Sequence, residues 1–188
     1  MKKLFIMAAI AGVALAGCDK LKEAASSDFT VDDVTFNFSA DVDNGAEAAT
    51  KSGGTRASAA NSFTVTRTVN ISEIGSPDVV EYASKISKVM VNSSLLNVTT
   101  TPAGSYTVTN LTVSAVNVSG SLVIPSYTVG GTFTPPSNMN SYTATFITAL
   151  INAKSVSVTV SGETDAPTGT TVNISYENDL VFTAKLLK

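Results

Sequence analysis

Apolar and polar residues alternate along most of this chain, and the alternation has the period of a β-strand. Within 34–42 every second residue is apolar, and 63–71 has the same alternation with Arg67 as the one exception. A period of two turns one side chain toward a core and the next toward solvent, so both segments are predicted strands. The same pattern, rich in Thr, Val and Ser, predicts further strands at 86–99, 105–119, 121–134, 155–161 and 171–187, with a bend at 177–179 in the last.

Two segments have helical rather than strand spacing. Ser76 followed by Pro77 is typical of a helix start, and this helix is predicted to run to about residue 84. Between 141 and 154, one stripe is formed by Tyr142, Phe146, Leu150 and Ala153. About seven strands with two short connecting helices predict a mainly β fold, an immunoglobulin-like antiparallel β-sandwich, with a small barrel as the alternative.

The first eighteen residues have a different pattern. Lys2 and Lys3 precede an uncharged apolar run over 4–16, and the segment ends Leu15-Ala16-Gly17-Cys18. This order is typical of a secretory signal, and the run is shorter than the roughly 20 residues that a membrane-spanning helix needs. Leu15 to Cys18 resembles the lipobox of bacterial lipoprotein precursors. The resemblance implies that Cys18 receives a diacylglycerol, that 1–17 is removed, and that the new amine is acylated.

These features divide the chain into three parts. Residues 1–17 are the expected signal peptide, 18–27 a short tether, and 28–188 a single domain. Within that domain, the segment 44–61 is rich in Ala, Gly, Ser and Thr and is predicted to be a flexible loop. We expect the mature protein to be lipid-anchored in the cell envelope, at the outer membrane, with its face toward the periplasm or the cell surface left open.

Composition excludes several function classes. The chain has no His and its one Cys is Cys18, which leaves no Ser/His or Cys/His nucleophile and no disulfide. No Gly-x-Ser-x-Gly elbow is present, so we expect neither an enzyme nor a cofactor. The net charge is −3 without a basic cluster, and removal of Lys2 and Lys3 makes the mature chain more acidic, so nucleic acid is not expected as a partner.

Few side chains remain as candidates for binding. Asp41, Asp43 and Glu47 surround Gly45 and form a weak calcium candidate without EF-hand spacing, against a plain acidic turn. The neighbouring Asp32 and Asp33 indicate a solvated strand start or bulge. The tyrosines that could stack on a sugar are predicted to pack in the core or at its edge; they are Tyr106, Tyr127 and Tyr142.

Seven Asn-x-Ser/Thr triplets occur along the strands. In a bacterial lipoprotein they do not imply N-glycans, and we interpret them as part of a Ser/Thr/Asn-rich wet face of the sheet. Their asparagines are Asn37, Asn70, Asn92, Asn97, Asn110, Asn117 and Asn173.

Two further resemblances are of pattern. The stretch 82–98, with 141–162 ahead of a closing strand, is similar to small lipoproteins of uncharacterised function from Gram-negative anaerobes, which implies an immunoglobulin-like sandwich. Over 31–60, a lipidated Cys, an alternating strand and then Gly54-Thr55-Arg56-Ala57 resemble fimbrillin-type pilus precursors. That resemblance implies cleavage at Arg56 and replacement of the first strand by a strand of the next subunit, a form of β-augmentation.

The sequence therefore predicts a non-enzymatic, membrane-anchored lipoprotein with a binding, adhesion or structural role, whose partner is another protein or a glycan. The alternative is a pilus subunit assembled by donor-strand exchange after cleavage at Arg56.

Overall fold

The computed structural model describes residues 26–43 and 61–185 of the chain. These residues form seven strands, two α-helices and two short 3₁₀ helices at Ile71–Ile74 and Ala83–Lys85. The strands are β1 (Ser26–Asp43), β2 (Asn61–Asn70), β3 (Ile86–Thr101), β4 (Thr107–Ala115), β5 (Leu122–Thr128), β6 (Ser155–Thr164) and β7 (Thr171–Lys185), and the helices are α1 (Pro77–Glu81) and α2 (Met139–Ala153).

The strands form one antiparallel sheet with the order β3-β7-β1-β2-β6-β4-β5, curled into a half-barrel. The mainly β class and the two α-helices are confirmed. Each predicted strand is present, but β1 begins at Ser26 rather than 34 and β5 ends at Thr128 rather than 134. An immunoglobulin-like sandwich is not confirmed, because the seven strands are hydrogen-bonded into a single curved sheet. Alternation tells which side chains of a strand are buried, but it does not tell whether a second sheet or a helix covers them.

Helix α2 covers the inner face of the sheet. Its buried side chains include Tyr142, Phe146 and Leu150, as the stripe predicts, whereas Ala153 is exposed. The ring of Phe146 meets Phe36 of β1 edge-to-face, with 5.4 Å between the centroids. The strand residues of this core come from all seven strands, among them Val34, Phe38, Phe63, Leu96, Val113, Ile124, Val158 and Ile174.

Three strands carry bulges, which turn the sheet and help to curl it. In β1 the register against β7 shifts between Val31 and Val34, and Asp33 has a φ of 57°. In β3 it shifts between Val91 and Ser93. Strand β7 lies between β1 and β3 and runs without interruption from Thr171 to Lys185. The bend predicted at 177–179 is therefore absent from β7, and the irregularity lies in the neighbouring strands.

The bulge in β4 lies opposite a glycine of β6. The register between these strands shifts from Thr109 to Thr112, and Asn110 has a φ of 52°. An added Cβ at Gly162 would lie 2.7 Å from Cζ of Phe63 and 3.4 Å from Cα of Leu111. Glycine at this position therefore lets the bulged backbone of β4 and the buried Phe63 ring approach β6 closely.

Backbone pairing in the sheet is shortest between β1 and β2. Strand β1 pairs with β7 along nearly its whole length but with β2 only through Val42–Phe63 and Asp43–Ser62. Arg67 of β2 bridges the two strands, with its guanidinium 4.7 Å from the centroid of the Phe38 ring and 2.8 Å from a carboxylate oxygen of Glu73. Packing rather than backbone pairing thus holds most of this seam together.

Candidate functional site

Of the site residues predicted from the sequence, two lie in the described part of the chain. Asp41 and Asp43 are exposed at the end of β1, on the outer face of the sheet. The hydroxyl of Thr171 donates to Oδ1 of Asp41 over 2.8 Å. Cys18, Arg56 and Glu47 lie outside the described residues. Within 26–43 and 61–185, no group of three or more His, Cys, Asp or Glu side chains could hold a metal ion.

The outer face of β1, β7 and β3 carries a patch of uncharged polar side chains. Two rows cross the three strands at right angles to them, one Asn–Ser–Asn and the next Ser–Asn–Thr. We call this patch the asparagine face; its residues are Asn37, Ser175 and Asn97 in the first row and Ser39, Asn173 and Thr99 in the second. It lines a shallow depression of about 290 Å³.

The centre of the asparagine face is ordered by hydrogen bonds. Ser39 Oγ donates to Oδ1 of Asn173 over 2.8 Å, and Nδ2 of Asn173 donates to the hydroxyl of Thr101 over 3.3 Å. The amide of Asn173 is therefore held in one orientation by β1 on one side and β3 on the other. Carboxylates bound the patch along the strands, with Asp41 beyond one row and Glu177 beyond the other.

Two amides of the face remain free. Among the described residues, the side chains of Asn37 and Asn97 make no hydrogen bond, and both are exposed. They flank Ser175 on either side, two strand spacings or roughly 10 Å apart. Each amide offers two donors and an acceptor, so the pair can bind a neutral ligand that carries several hydroxyl or amide groups.

Aromatic side chains do not contribute to this face. Tyr127 and Tyr142 are buried and Tyr106 packs over Gly104, as the predicted core and edge packing requires. The remaining tyrosines are Tyr82, beside α1, and Tyr176, on the inner face of β7. Any ligand of the asparagine face would be held by hydrogen bonds and not by ring stacking.

A second polar group lies inside the fold, beneath α2. Thr143 Oγ1 donates to the carbonyl of Met139 over 2.8 Å, so the hydroxyl of Tyr176 donates to Thr143. Nearby, Ser94 Oγ donates to Oδ1 of the buried Asn178 over 2.8 Å. These contacts join α2 to β3 and β7 and satisfy polar atoms that the core encloses.

Two buried hydroxyls of the described residues lack a hydrogen-bond partner, those of Thr100 and Tyr142. The side chain of Tyr142 is 6% exposed and its Oη makes no hydrogen bond. Burial, with a smaller contribution from Tyr176, raises the pKa of Tyr142 to about 12. The adjoining void, lined by Phe36, Phe38 and Val113 among others, holds about 10 Å³, roughly the space of one water molecule, so it is not a ligand pocket.

The sequence placed the triplet asparagines on a wet face of the sheet but did not show that three of them meet. Three of the seven Asn-x-Ser/Thr asparagines, Asn37, Asn97 and Asn173, converge on the asparagine face from three strands. The other four lie at irregular positions of the backbone. Asn110 and Asn117 have left-handed backbone conformations, Asn92 lies at the β3 bulge, and Asn70 is the N-cap of a 3₁₀ helix. The triplets were the signal, but only the strand register shows which of them meet.

Comparison of the chain with known protein families, curated proteins and solved structures gives no match. In the ranges that the structure describes, no helix is both long and apolar enough to cross a membrane.

Proposed function

We propose that this protein is a lipid-anchored, non-enzymatic lipoprotein of the cell envelope, at the outer membrane, which holds a β-domain close to the bilayer and binds a glycan on its asparagine face. The observation that carries the proposal is the run Leu15-Ala16-Gly17-Cys18 directly after an uncharged apolar segment, with Cys18 as the only cysteine in the chain. Acyl chains on that sulfur and on the new amine would make membrane attachment lasting, since stable anchoring takes more than one chain.

The described fold supports this arrangement. Strand β1 begins at Ser26, and eight residue steps from Cys18 span at most roughly 28 Å. The domain would therefore stay near the membrane surface. The asparagine face uses residues 37 and 39 of β1, toward the end of the strand that is farther from Cys18, which leaves the face accessible to a partner away from the bilayer.

A glycan fits the chemistry of the asparagine face better than a charged partner does. The six side chains of the face are uncharged, and the free amides of Asn37 and Asn97 can each bridge neighbouring hydroxyls of a sugar. A basic protein partner would instead be expected to bind at the bordering carboxylates of Asp41 and Glu177.

Mass spectrometry of the protein from native membranes tests the anchor. The expected mature chain begins at Cys18 and carries a diacylglyceryl group and an acylated amine, and Cys18→Ser leaves the chain unmodified. A mature chain without lipid, or one that starts at another residue, would contradict the proposed anchor.

Glycan binding is tested with an array of bacterial envelope oligosaccharides. The double variant Asn37→Ala/Asn97→Ala is expected to lose binding by more than tenfold, because loss of two or more hydrogen bonds costs about 1 kcal/mol each. Asn152→Ala, an exposed asparagine on α2, is the matched control. Equal binding by both variants would show that the glycan, if one binds, does so elsewhere.

The pilus-subunit alternative is favoured by one observation, the position of β1. This strand lies between β7 and β2, inserts Val34, Phe36 and Phe38 into the core, and is followed by the segment that contains Arg56. Each such side chain contributes about 1.5–3 kcal/mol when buried, so β1 would leave only if another strand took its place. Assembled material with an N-terminus at Ala57 would support this alternative over the intact lipoprotein.

A further inference from the structure

We infer that the end of the sheet nearest Cys18 is a docking surface for anionic phospholipid, so that the domain stands on the membrane in one orientation. This inference rests on the proposed function, because the lipid on Cys18 brings that end to the bilayer. The anchor end is defined by the starts of β1, β3, β5 and β6 and the ends of β2, β4 and β7; the opposite strand ends form the far end.

Within the ranges that the structure describes, the lysines are concentrated at one end of the sheet. All four in the described part of the chain lie at strand ends of the anchor end, and all are exposed. Lys85 and Lys88 are at the start of β3, Lys154 directly precedes β6, and Lys185 is the last residue of β7. Lys185 pairs with Ser26, the first residue of β1, which places it where the chain from Cys18 enters the sheet.

The acidic residues have a different distribution. Four are also at the anchor end, and one of these, Glu73, is paired with Arg67. The other eight described acids lie farther along the strands with no lysine among them; they are Asp32, Asp33, Asp41, Asp43, Glu163, Asp165, Glu177 and Asp179. The anchor end is therefore weakly positive and the remainder strongly negative, and an anionic surface attracts the first and repels the second.

Exposed apolar side chains show the same bias. Five large hydrophobic residues of the described chain are well exposed to solvent, and three of them lie at the anchor end: Val80 on α1, Val116 after β4 and Val123 in β5, with exposures of 47%, 57% and 43%. A groove of about 310 Å³ opens beside Val116 and the start of β6. Lysines among exposed valines suit the interfacial region of a bilayer, where phosphates meet acyl chains.

Amine labelling of the full-length lipidated protein on vesicles tests this inference. The protein is bound to phosphatidylcholine vesicles with and without phosphatidylglycerol, treated with a water-soluble acylating reagent, and each lysine is quantified by mass spectrometry. Labelling of Lys85, Lys88, Lys154 and Lys185 is expected to fall several-fold when phosphatidylglycerol is present and to recover at high salt, since screening weakens the attraction. Lys51, which follows the far end of β1 in the chain, serves as the internal reference.

The triple variant Lys85→Gln/Lys88→Gln/Lys185→Gln separates docking from anchoring. Each lysine near an anionic surface contributes about 1 kcal/mol, or about fivefold in binding, so Lys154 of this variant should be labelled equally on both vesicles. Lys51→Gln is the matched control and should keep the protection of Lys154. Equal labelling of the unmutated protein on both vesicles overturns the inference.

Flotation reports the anchor independently. A chain that floats with phosphatidylcholine alone carries its lipid, whatever the labelling shows. A chain that floats only with phosphatidylglycerol, and loses this in the triple variant but not in Lys51→Gln, overturns the anchor while it supports docking.

Discussion

The backbone N–H of Asp33 donates a hydrogen bond to Oδ1 of Asp179 over 3.1 Å, and it does so from inside the β1 bulge. The other oxygen of the same carboxylate accepts from Ser93 Oγ over 2.6 Å, at the β3 bulge on the opposite side of β7. One side chain on β7 thus fixes the irregular positions of both neighbouring strands. The hydroxyl of Ser93, and after it the N–H of Asp33, lower the pKa of Asp179.

Asp179→Asn is expected to destabilise the fold by about 1 kcal/mol at neutral pH, because charged hydrogen bonds are stronger than neutral ones but solvent weakens these. The pKa of Asp179 is lower in the folded than in the unfolded state. The carboxylate therefore contributes to the free energy of unfolding above the ordinary carboxylate pKa, and this contribution is lost as pH falls through the lowered value. Denaturation at several pH values should show the difference from wild type vanish in acid. Asp28→Asn, an exposed position on β1, is the control, and a difference that persists in acid would contradict the assignment.

Tyr142→Phe is expected to leave stability unchanged or to raise it by about 1 kcal/mol, because the variant removes a buried hydroxyl that has no hydrogen-bond partner. In wild type, the pKa of Tyr142 in the folded state is about 12, above the ordinary value of 10.0. The free energy of unfolding therefore keeps the full contribution of the neutral Tyr142 below the unfolded-state pKa, and this contribution is lost as pH rises through the folded-state pKa. Denaturation in alkaline solution should therefore show that the free energy of unfolding falls more steeply with pH for wild type than for Tyr142→Phe.

The comparison variant for Tyr142 is Tyr176→Phe. It removes the hydroxyl that donates to Thr143 and is expected to destabilise the fold by about 1 kcal/mol. If the two variants changed the free energy of unfolding equally, the assignment of a hydrogen-bond partner to Tyr176 but not to Tyr142 would be contradicted.

Gly162→Ala is expected to destabilise the fold by about 1–3 kcal/mol, since the added methyl group meets the fully buried Phe63 ring beside the backbone of the β4 bulge. The measurement is the free energy of unfolding by chemical denaturation. Ser161→Ala, one residue earlier on β6, should change it little, and a neutral Gly162→Ala would show that Phe63 can move aside.

Arg67→Ala is expected to loosen the seam between β1 and β2. The variant loses a cation–π contact with Phe38 and a partly buried ion pair with Glu73, together about 1–2 kcal/mol. Hydrogen exchange should quicken at the β1 amides near Phe38 more than in β4 or β6. Thr68→Ala, an exposed neighbour, is the control, and uniform acceleration across the sheet would indicate general destabilisation instead.

Local pattern was sufficient for most elements of this fold. The predicted strand at 86–99 is observed as Ile86–Thr101 and the one at 155–161 as Ser155–Thr164, because period-two alternation is a property of a single strand. β1 is the main exception, starting at Ser26 rather than 34. Its bulge at Asp32 and Asp33 shifts the alternation by one residue, which hides the first half of the strand from a strict period of two.

The sequence by itself determined where the helices and, apart from the first half of β1, the strands lie, most of the side chains that they bury, and that Cys18 follows a lipobox-like motif. The tertiary structure decided the strand order, the curl of the sheet, the meeting of Asn37, Asn97 and Asn173 on one face, and the role of Asp179 between two bulges. Alternation is encoded within each strand, whereas register depends on the free energy of pairing between segments far apart in the chain. A one-residue change of that register would move every side chain to the opposite face, so no single segment can specify the site.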